Sequence, residues 1–267
     1  MDLGLTGKVA LVTGASRGIG AAIAQRFDQE GCKVAVLARK QAELDGLVAA
    51  FSGPHAKEAV ALACDMMSAE QIEKSVAAIL KRFGRVDIAV NNVGGAEGFN
   101  AFHEISDDQY RRTWELNFLS AVRVARLVLP KMLEQKWGRI INISSESGTQ
   151  PDPIGVDYAC SKGALNTLTK ALSKAYAAHG VLTNTVSPAF VMTPLLRDFV
   201  QRAATAQSVS FEEAQMGMLN GFRPHIEVKR PGTSEEVAST VAFVASDLAG
   251  FINGANVRVD GGSVASV

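Results

Sequence analysis

The chain has 267 residues, 47% of them apolar and 20% charged, with 27 Lys plus Arg against 27 Asp plus Glu. Zero formal charge leaves no basic footprint for nucleic acid or an anionic membrane surface. No run approaches the ~20 apolar residues that a membrane span requires.

The first predicted element is KVALVT (8–13), a short apolar run read as a strand, followed by an Ala-rich helix over about 18–30. The pattern then repeats: strand KVAVLA (33–38), helix 41–51, strand AVALAC (59–64), helix 68–83, strand VDIAVN (86–91), helix 107–135. It continues with strand RIINIS (139–144), helix 158–178, strand VLTNTVS (181–187), helix 234–246 and strand NVRVD (256–260). The strands are apolar on both faces, as in a parallel sheet covered by helices on each side. Alternating β and α predicts right-handed crossovers and a doubly wound, Rossmann-type α/β sheet of about seven strands. No linker, repeat or low-complexity tract interrupts it, so one domain over 1–267 is expected. The segment 194–230 breaks the rhythm. It is long, partly helical and rich in Phe and Met, which predicts a lid over substrate, with Gly217 and Gly221 as its hinges.

Between the first strand and its helix stands TGASRGIG (13–20). Glycines there let the backbone turn tightly and approach a pyrophosphate, and the helix N-terminus offers free N–H groups and a positive dipole end. Further on, YACSK (158–162) places Tyr158 and Lys162 four apart with only small residues between them. On a helix the two side chains share a face. The pair reads as a solvated surface pair or as an acid whose pKa a neighbouring ammonium pulls down.

TGASRGIG, then NNVG at 91–94, then YACSK at 158–162, resembles the short-chain dehydrogenase/reductase family, and the likeness runs to the closing VDGG at 259–262. The resemblance implies a hydride-transfer enzyme whose dinucleotide lies on Gly14, Ser16, Arg17, Gly18, Ile19 and Gly20. Asp65 would contact adenine, Asn91 and Gly94 would line the cofactor cleft, and Pro188, Val191 and Thr193 would orient the nicotinamide carboxamide. It further implies a catalytic set of Asn117, Ser145, Tyr158 and Lys162, with Ser145 thirteen residues before Tyr158. Reduction of a ketone leaves an alkoxide that must be protonated as it forms. Tyr158 would donate that proton, Lys162 would favour the phenolate and hold the ribose, Ser145 would bond the substrate oxygen, and Asn117 would position a water linking Lys162 to solvent.

Charge at the second strand's end bears on the cofactor. Leu37-Ala38-Arg39-Lys40 has Ala where family members preferring NAD usually carry Asp, and Arg39 and Arg17 suit a 2′-phosphate. NADP(H) is therefore expected. One departure is Ala189 in Ser187-Pro188-Ala189, where the family commonly has Gly; its methyl would stand beside the nicotinamide.

The remaining reactive residues carry less. Ser144, Glu146 and Ser147 read as backbone-tethered turn residues and His103 as a surface loop residue. Cys32, Cys64 and Cys160 are an odd number without metal spacing, and Cys32 and Cys64, which flank apolar strand-like runs, read as small core residues in a reducing compartment. The start MDLGLTGKV shows no signal-peptide pattern and the tail SVASV no prenylation or peroxisomal signal, so the cytoplasm is expected. No metal is expected.

The leading expectation is an NADPH-dependent reductase of an apolar ketone, either a 3-oxoacyl thioester or a bulky or cyclic ketone. An NAD-linked secondary alcohol dehydrogenase and a non-catalytic NADP-binding regulator stand as alternatives. If an acyl carrier docks, Lys131, Lys136 and Arg139 are the candidate basic residues. The resemblance also implies a homotetramer, assembled through the helices 107–135 and 158–178 and the closing strand.

Overall fold

A computed structural model describes residues 2–266; Met1 and Val267, the ends of the expected 1–267 domain, lie outside them. Seven strands form one all-parallel sheet: β1 (Val9–Thr13), β2 (Lys33–Ala38), β3 (Val60–Ala63), β4 (Ile88–Asn91), β5 (Gly138–Ile143), β6 (Val181–Pro188) and β7 (Asn256–Val259). Their spatial order is β3-β2-β1-β4-β5-β6-β7. Among the described residues nine α-helices accompany them: α1 (Gly18–Gln29), α2 (Gln41–Ala49), α3 (Ala69–Phe83), α4 (Asp107–Trp114), α5 (Ser120–Gln135), α6 (Val156–Tyr176), α7 (Pro194–Gln207), α8 (Phe211–Phe222) and α9 (Ser234–Ala245). The doubly wound expectation is met.

Strand side chains alternate between two cores, as the pleat requires. Ala10, Val12, Val34 and Val36 face α1, α2 and α9, where Phe27, Leu44 and Val241 are buried against them. Val9, Leu11, Ala35 and Leu37 face α3 and α5 on the other side, against Ile72, Ile79, Val124 and Met132. Cys32 and Cys64 are buried, as expected, and Cys160 is exposed. No described helix is long and apolar enough to cross a membrane.

The strand order reverses between β1 and β4, which opens a crevice at the carboxyl ends of the strands, the place where doubly wound sheets hold ligands. Two departures from the predicted elements bear on it. The expected helix 107–135 is broken by a single π turn, Glu115–Leu119, between α4 and α5. The segment 194–230 contains a helical hairpin, α7 and α8, with a small core of its own: Val200, Ala204 and Ala214 packed with Leu196, Phe211 and Met218. That core consumes much of the apolar surface that the sequence suggested for a substrate pocket. Gly217 and Gly221, the expected hinges, do not stand at the ends of the hairpin. Both lie inside α8, and the chain turns instead before it, at Ser208, with φ of 55°.

Candidate active site

The crevice is a cleft of about 600 Å³. Its phosphate end is the turn between β1 and α1. A Cβ on Gly20 would lie 2.3 Å from the Gly14 carbonyl oxygen, so only glycine lets α1 settle onto the turn. Asn92 braces the turn from β4's end, its Nδ2 donating to the carbonyls of Thr13 at 3.0 Å and Gly14 at 3.1 Å. No side chain caps the start of α1, which leaves its leading N–H groups open to an anion. Gly14, Ser16, Arg17, Gly18, Ile19 and Gly20 all line the cleft.

At the mouth stand Arg17 and Arg39, both exposed, together with Asp65, which lies two residues beyond β3. A carboxylate that the sequence reading overlooked also reaches this end. Glu43, in the first turn of α2, lines the cleft. Hydrogen bonds from Lys40, 2.8 Å away, and then from Ser16 hold it below the usual carboxylate range. Lys40 thus partners the acid and leaves both guanidinium groups without an ion pair among the described residues. The pattern at the strand end does not reveal it, because only the first turn of α2 brings position 43 back over the cleft.

At the other end of the cleft lie Ser145, Tyr158 and Lys162. Ser145 follows β5, where its hydroxyl accepts a hydrogen bond from the Ser147 N–H at 3.2 Å and starts the short turn Glu146–Gly148. Helix α6 begins two residues before Tyr158, after Gly155 in a left-handed conformation. It therefore presents Tyr158 and Lys162 on one face, with the Lys162 Nζ 5.7 Å from the centre of the Tyr158 ring. Lys162 is buried, and its Nζ donates to the Ile143 carbonyl at 2.8 Å. Burial holds its ammonium down at about 8, from 10.5.

The expected depression of Tyr158 by Lys162 is not what the structure shows. The protein packed round the phenol pushes it above its ordinary range, while the Ser145 hydroxyl and the charge of Arg223 pull it back and the Glu146 carboxylate pushes it up. Desolvation outweighs the attraction of a cation.

Asn117 lies in the π turn. Its Nδ2 donates to the Thr113 carbonyl at 2.9 Å and to the Gly95 carbonyl at 2.9 Å. The Asn117 Oδ1 accepts from the Gly95 N–H at 2.9 Å. The amide thus fixes the loop after β4 beside Lys162. The neighbouring Gly94 has no room for a side chain: a Cβ there would lie 2.7 Å from Asn117 Oδ1 and 2.8 Å from Lys162 Nζ.

Pro188 and Thr193 border the cleft, and so does Ala189. Ala189 is not among the residues with positive φ, so its backbone does not need glycine. Two expected cofactor residues face elsewhere. Asn91 is buried, its Nδ2 donating to Asn142 Oδ1 at 2.8 Å within the sheet, and Asn92 and Val93 line the cleft instead. Val191 is buried in the core and bridges Gly232. The candidate carrier-docking residues are also misplaced. Arg139 is buried at the start of β5, at the sheet edge opposite the cleft, with its guanidinium 4.3 Å from the Trp137 ring centre. Lys131 pairs with Glu134 at 2.6 Å, and Lys136 ends α5 at that same edge.

One residue of the segment 194–230 reaches back to the catalytic loop. Arg223, at the end of α8, donates its Nε to Glu146 and forks onto Asp152 at 2.7 and 3.1 Å. Glu146 is buried and not a simple turn residue. Arg223 is the only charged residue between Glu213 and His225, a signal the sequence offered and the reading missed.

A family profile described as short chain dehydrogenase matches residues 8–204. The chain belongs to the short-chain dehydrogenase family. The oxidoreductase YvrD of Bacillus subtilis is 35% identical over the whole of both chains. The 3-oxoacyl-[acyl-carrier-protein] reductase FabG of Vibrio cholerae is 35% identical over 97% of this chain and 98% of its own. Among solved structures, the L-sorbose reductase of Gluconobacter frateurii, complexed with NADPH and L-sorbose, superposes with a TM-score of 0.94 at 28% identity, covering all of both chains. With such relatives, this short-chain dehydrogenase is an oxidoreductase of the carbonyl–alcohol couple that uses a nicotinamide cofactor.

Proposed function

We propose that the protein is an NADPH-dependent reductase that converts a ketone to a secondary alcohol. The observation that carries this reading is the gathering of Ser145, Tyr158 and Lys162 at one end of a single cleft whose other end is a glycine cradle. The cradle fits a dinucleotide pyrophosphate, since the start of α1 carries no side-chain cap and Ser16, Arg17 and Gly18 line the cleft there. Arg17 and Arg39, unpaired at the mouth, favour a 2′-phosphate over a free ribose hydroxyl. The FabG and sorbose reductase likenesses point the same way.

When bound, the nicotinamide supplies or takes the hydride. The rest falls to the chain. The Ser145 hydroxyl, which faces Tyr158, bonds the substrate oxygen and holds the carbonyl in place. Tyr158 gives its phenolic proton to that oxygen as the alcohol forms, and burial keeps the proton on the phenol until then. Lys162, held by the Ile143 carbonyl, offers its remaining N–H donors to the ribose and its charge to the phenolate left behind. Asn117 keeps the loop of Gly94 and Gly95 against Lys162. The hairpin of α7 and α8 covers the substrate end, with Leu195 in contact with the cleft, and an apolar ketone such as a 3-oxoacyl thioester or a bulky cyclic ketone fits that cover. We carry the homotetramer and the cytoplasm forward as part of the same reading.

The deciding experiment follows nicotinamide absorbance with NADPH and NADH across 3-oxoacyl thioesters, bulky cyclic ketones and ketoses. Turnover of at least one ketone, faster with NADPH, is expected. Tight NADPH binding with no turnover of any ketone would instead identify a non-catalytic binding protein.

A further inference from the structure

The hairpin of α7 and α8 is tied to the catalytic loop through one side chain. Arg223 sends its fork to Asp152, on the loop before α6, and its Nε to Glu146, the residue after Ser145. It also caps its own helix, donating to the Phe222 carbonyl at 2.6 Å. Glu146 is only 3% exposed. One of its carboxylate oxygens rests on Arg223, and the other, Oε2, is buried without any hydrogen-bond partner among the described residues. A buried carboxylate so placed depends on its one cation, because removing one partner of a buried pair leaves an uncompensated charge.

We propose that Arg223 is a positioning residue that clasps the hairpin onto the Ser145 loop and lets Tyr158 release its proton only while the hairpin is closed. The inference rests on the reductase reading above. Proton donation breaks the O–H bond of Tyr158, delivers the proton to the substrate oxygen and leaves a phenolate. The groups around that phenolate are Lys162 on the same helix, the Ser145 hydroxyl, the Glu146 carboxylate and the Arg223 guanidinium, with Asp152 behind Arg223. When the clasp is shut, Arg223, held from behind by Asp152, sets its positive charge against Glu146, and the phenolate forms beside a carboxylate that already has its cation. When the hairpin lifts, Arg223 leaves with it and Glu146 opposes the new negative charge. Chemistry is thereby tied to a closed, water-excluding site.

The test compares wild type with Arg223→Met, Arg223→Lys and the double variant Arg223→Met/Glu146→Gln, using kcat and KM for a reduced ketone and amide hydrogen exchange of the whole chain. Arg223→Met is expected to lose at least tenfold in kcat with the KM for NADPH unchanged, and to exchange at least tenfold faster in 194–222 while the sheet core keeps wild-type protection. Arg223→Lys, which keeps the charge but not the fork, is expected to retain more than half of the wild-type kcat. The double variant is expected to recover most of the lost kcat but not the lid protection, a split that a merely structural arginine would not give. Unchanged exchange in 194–222, an unchanged kcat, or a double variant no faster than Arg223→Met would each overturn the proposal. If wild type reduces no ketone, the reductase reading fails by itself, the coupling to proton release falls with it, and hydrogen exchange still decides whether Arg223 is the clasp.

Discussion

The backbone of Gly94 runs so close to Lys162 that a β-carbon on the glycine would lie 2.8 Å from the lysine Nζ. The NNVG sequence is thus a matter of clearance: β4's loop must pass beneath the ammonium without displacing it from the Ile143 carbonyl. Gly94→Ala is expected to push Lys162 and Asn117 aside at little cost in stability, because the side-chain ends can move. Cofactor affinity and kcat should both fall about tenfold, the loss of roughly one hydrogen bond. Binding titration and steady-state kinetics check this, and wild-type values for both would show that the ammonium's position is not critical.

Tyr158→Phe removes the one proton donor beside Ser145 while keeping the ring. Turnover should fall by ~10²–10⁴-fold, the usual weight of a general acid, with NADPH affinity and melting temperature near wild type. A variant that retained a tenth of the wild-type kcat, with chemistry rate-limiting, would remove Tyr158 from its role.

Arg39 stands at the mouth without an ion pair among the described residues, while the adjacent Lys40 holds Glu43 at 2.8 Å. Arg39→Ala should weaken NADPH by about 1.5–3 kcal/mol, the value of a charge-assisted bond, and leave NADH nearly unchanged. Equal weakening of both in a titration would mean that Arg39 does not read the 2′-phosphate. Glu43→Gln provides the opposite arm: with one negative charge gone from the mouth, NADPH should bind more tightly and NADH no better.

Much of this site was legible in the sequence because it is built on short-range patterns. Strand, glycine turn and helix follow one another within 8–29, and Tyr158 and Lys162 lie one helical turn apart, so local rules place them. What escaped depended on tertiary contact. The π turn at Glu115–Leu119 leaves no mark in apolar periodicity, because one extra residue per turn is too short a slip to see. Arg223 meets Glu146 across 77 positions, and Glu43 arrives at the mouth only because α2 folds back over β2. Asn91 and Asn92 illustrate the finest limit. β4 ends at Asn91, as its apolar pattern predicts, but the strand pleat sends adjacent residues to opposite faces, and a family likeness carried over the motif does not tell the residue in the sheet from its neighbour in the cleft.

Burial of Lys162 has a consequence for stability against pH. Its folded value near 8 is below the 10.5 of the free side chain. Between these values the unfolded chain holds a proton that the folded chain has released, so stability gains from rising pH, by about 1.4 kcal/mol per unit at most. Below 8 both states are protonated and the fold bears the full cost of the buried charge. Tyr158 acts with the opposite sign, but only above its ordinary value of 10. Lys162→Met should therefore be stabilised relative to wild type most strongly below pH 8, with the difference narrowing from there to about pH 10. Denaturant titrations across that range check it. A difference that stays constant with pH would show that Lys162 keeps an ordinary pKa in the fold.

The last expectation concerns how the hairpin moves. Gly217 and Gly221 are exposed on α8, and a Cβ at either would meet nothing within 4 Å. Neither has positive φ, so an alanine would fit the backbone as it stands. In a helix interior glycine is less favourable than alanine by about 0.8–1.0 kcal/mol, so both positions weaken α8 with no gain in packing. If the hairpin opens as a unit, turning near Thr193 and beyond Arg223 on the strength of its Val200, Ala204 and Ala214 core, stiffening α8 does not impede it. Gly217→Ala and Gly221→Ala should then slow hydrogen exchange within 211–222 several-fold each and leave kcat and KM at wild-type values. If α8 must bend or melt at these glycines to admit substrate, the same variants would gain protection and lose turnover together. A fall in kcat that tracks the gain in protection would restore Gly217 and Gly221 as hinges and refute rigid-body opening.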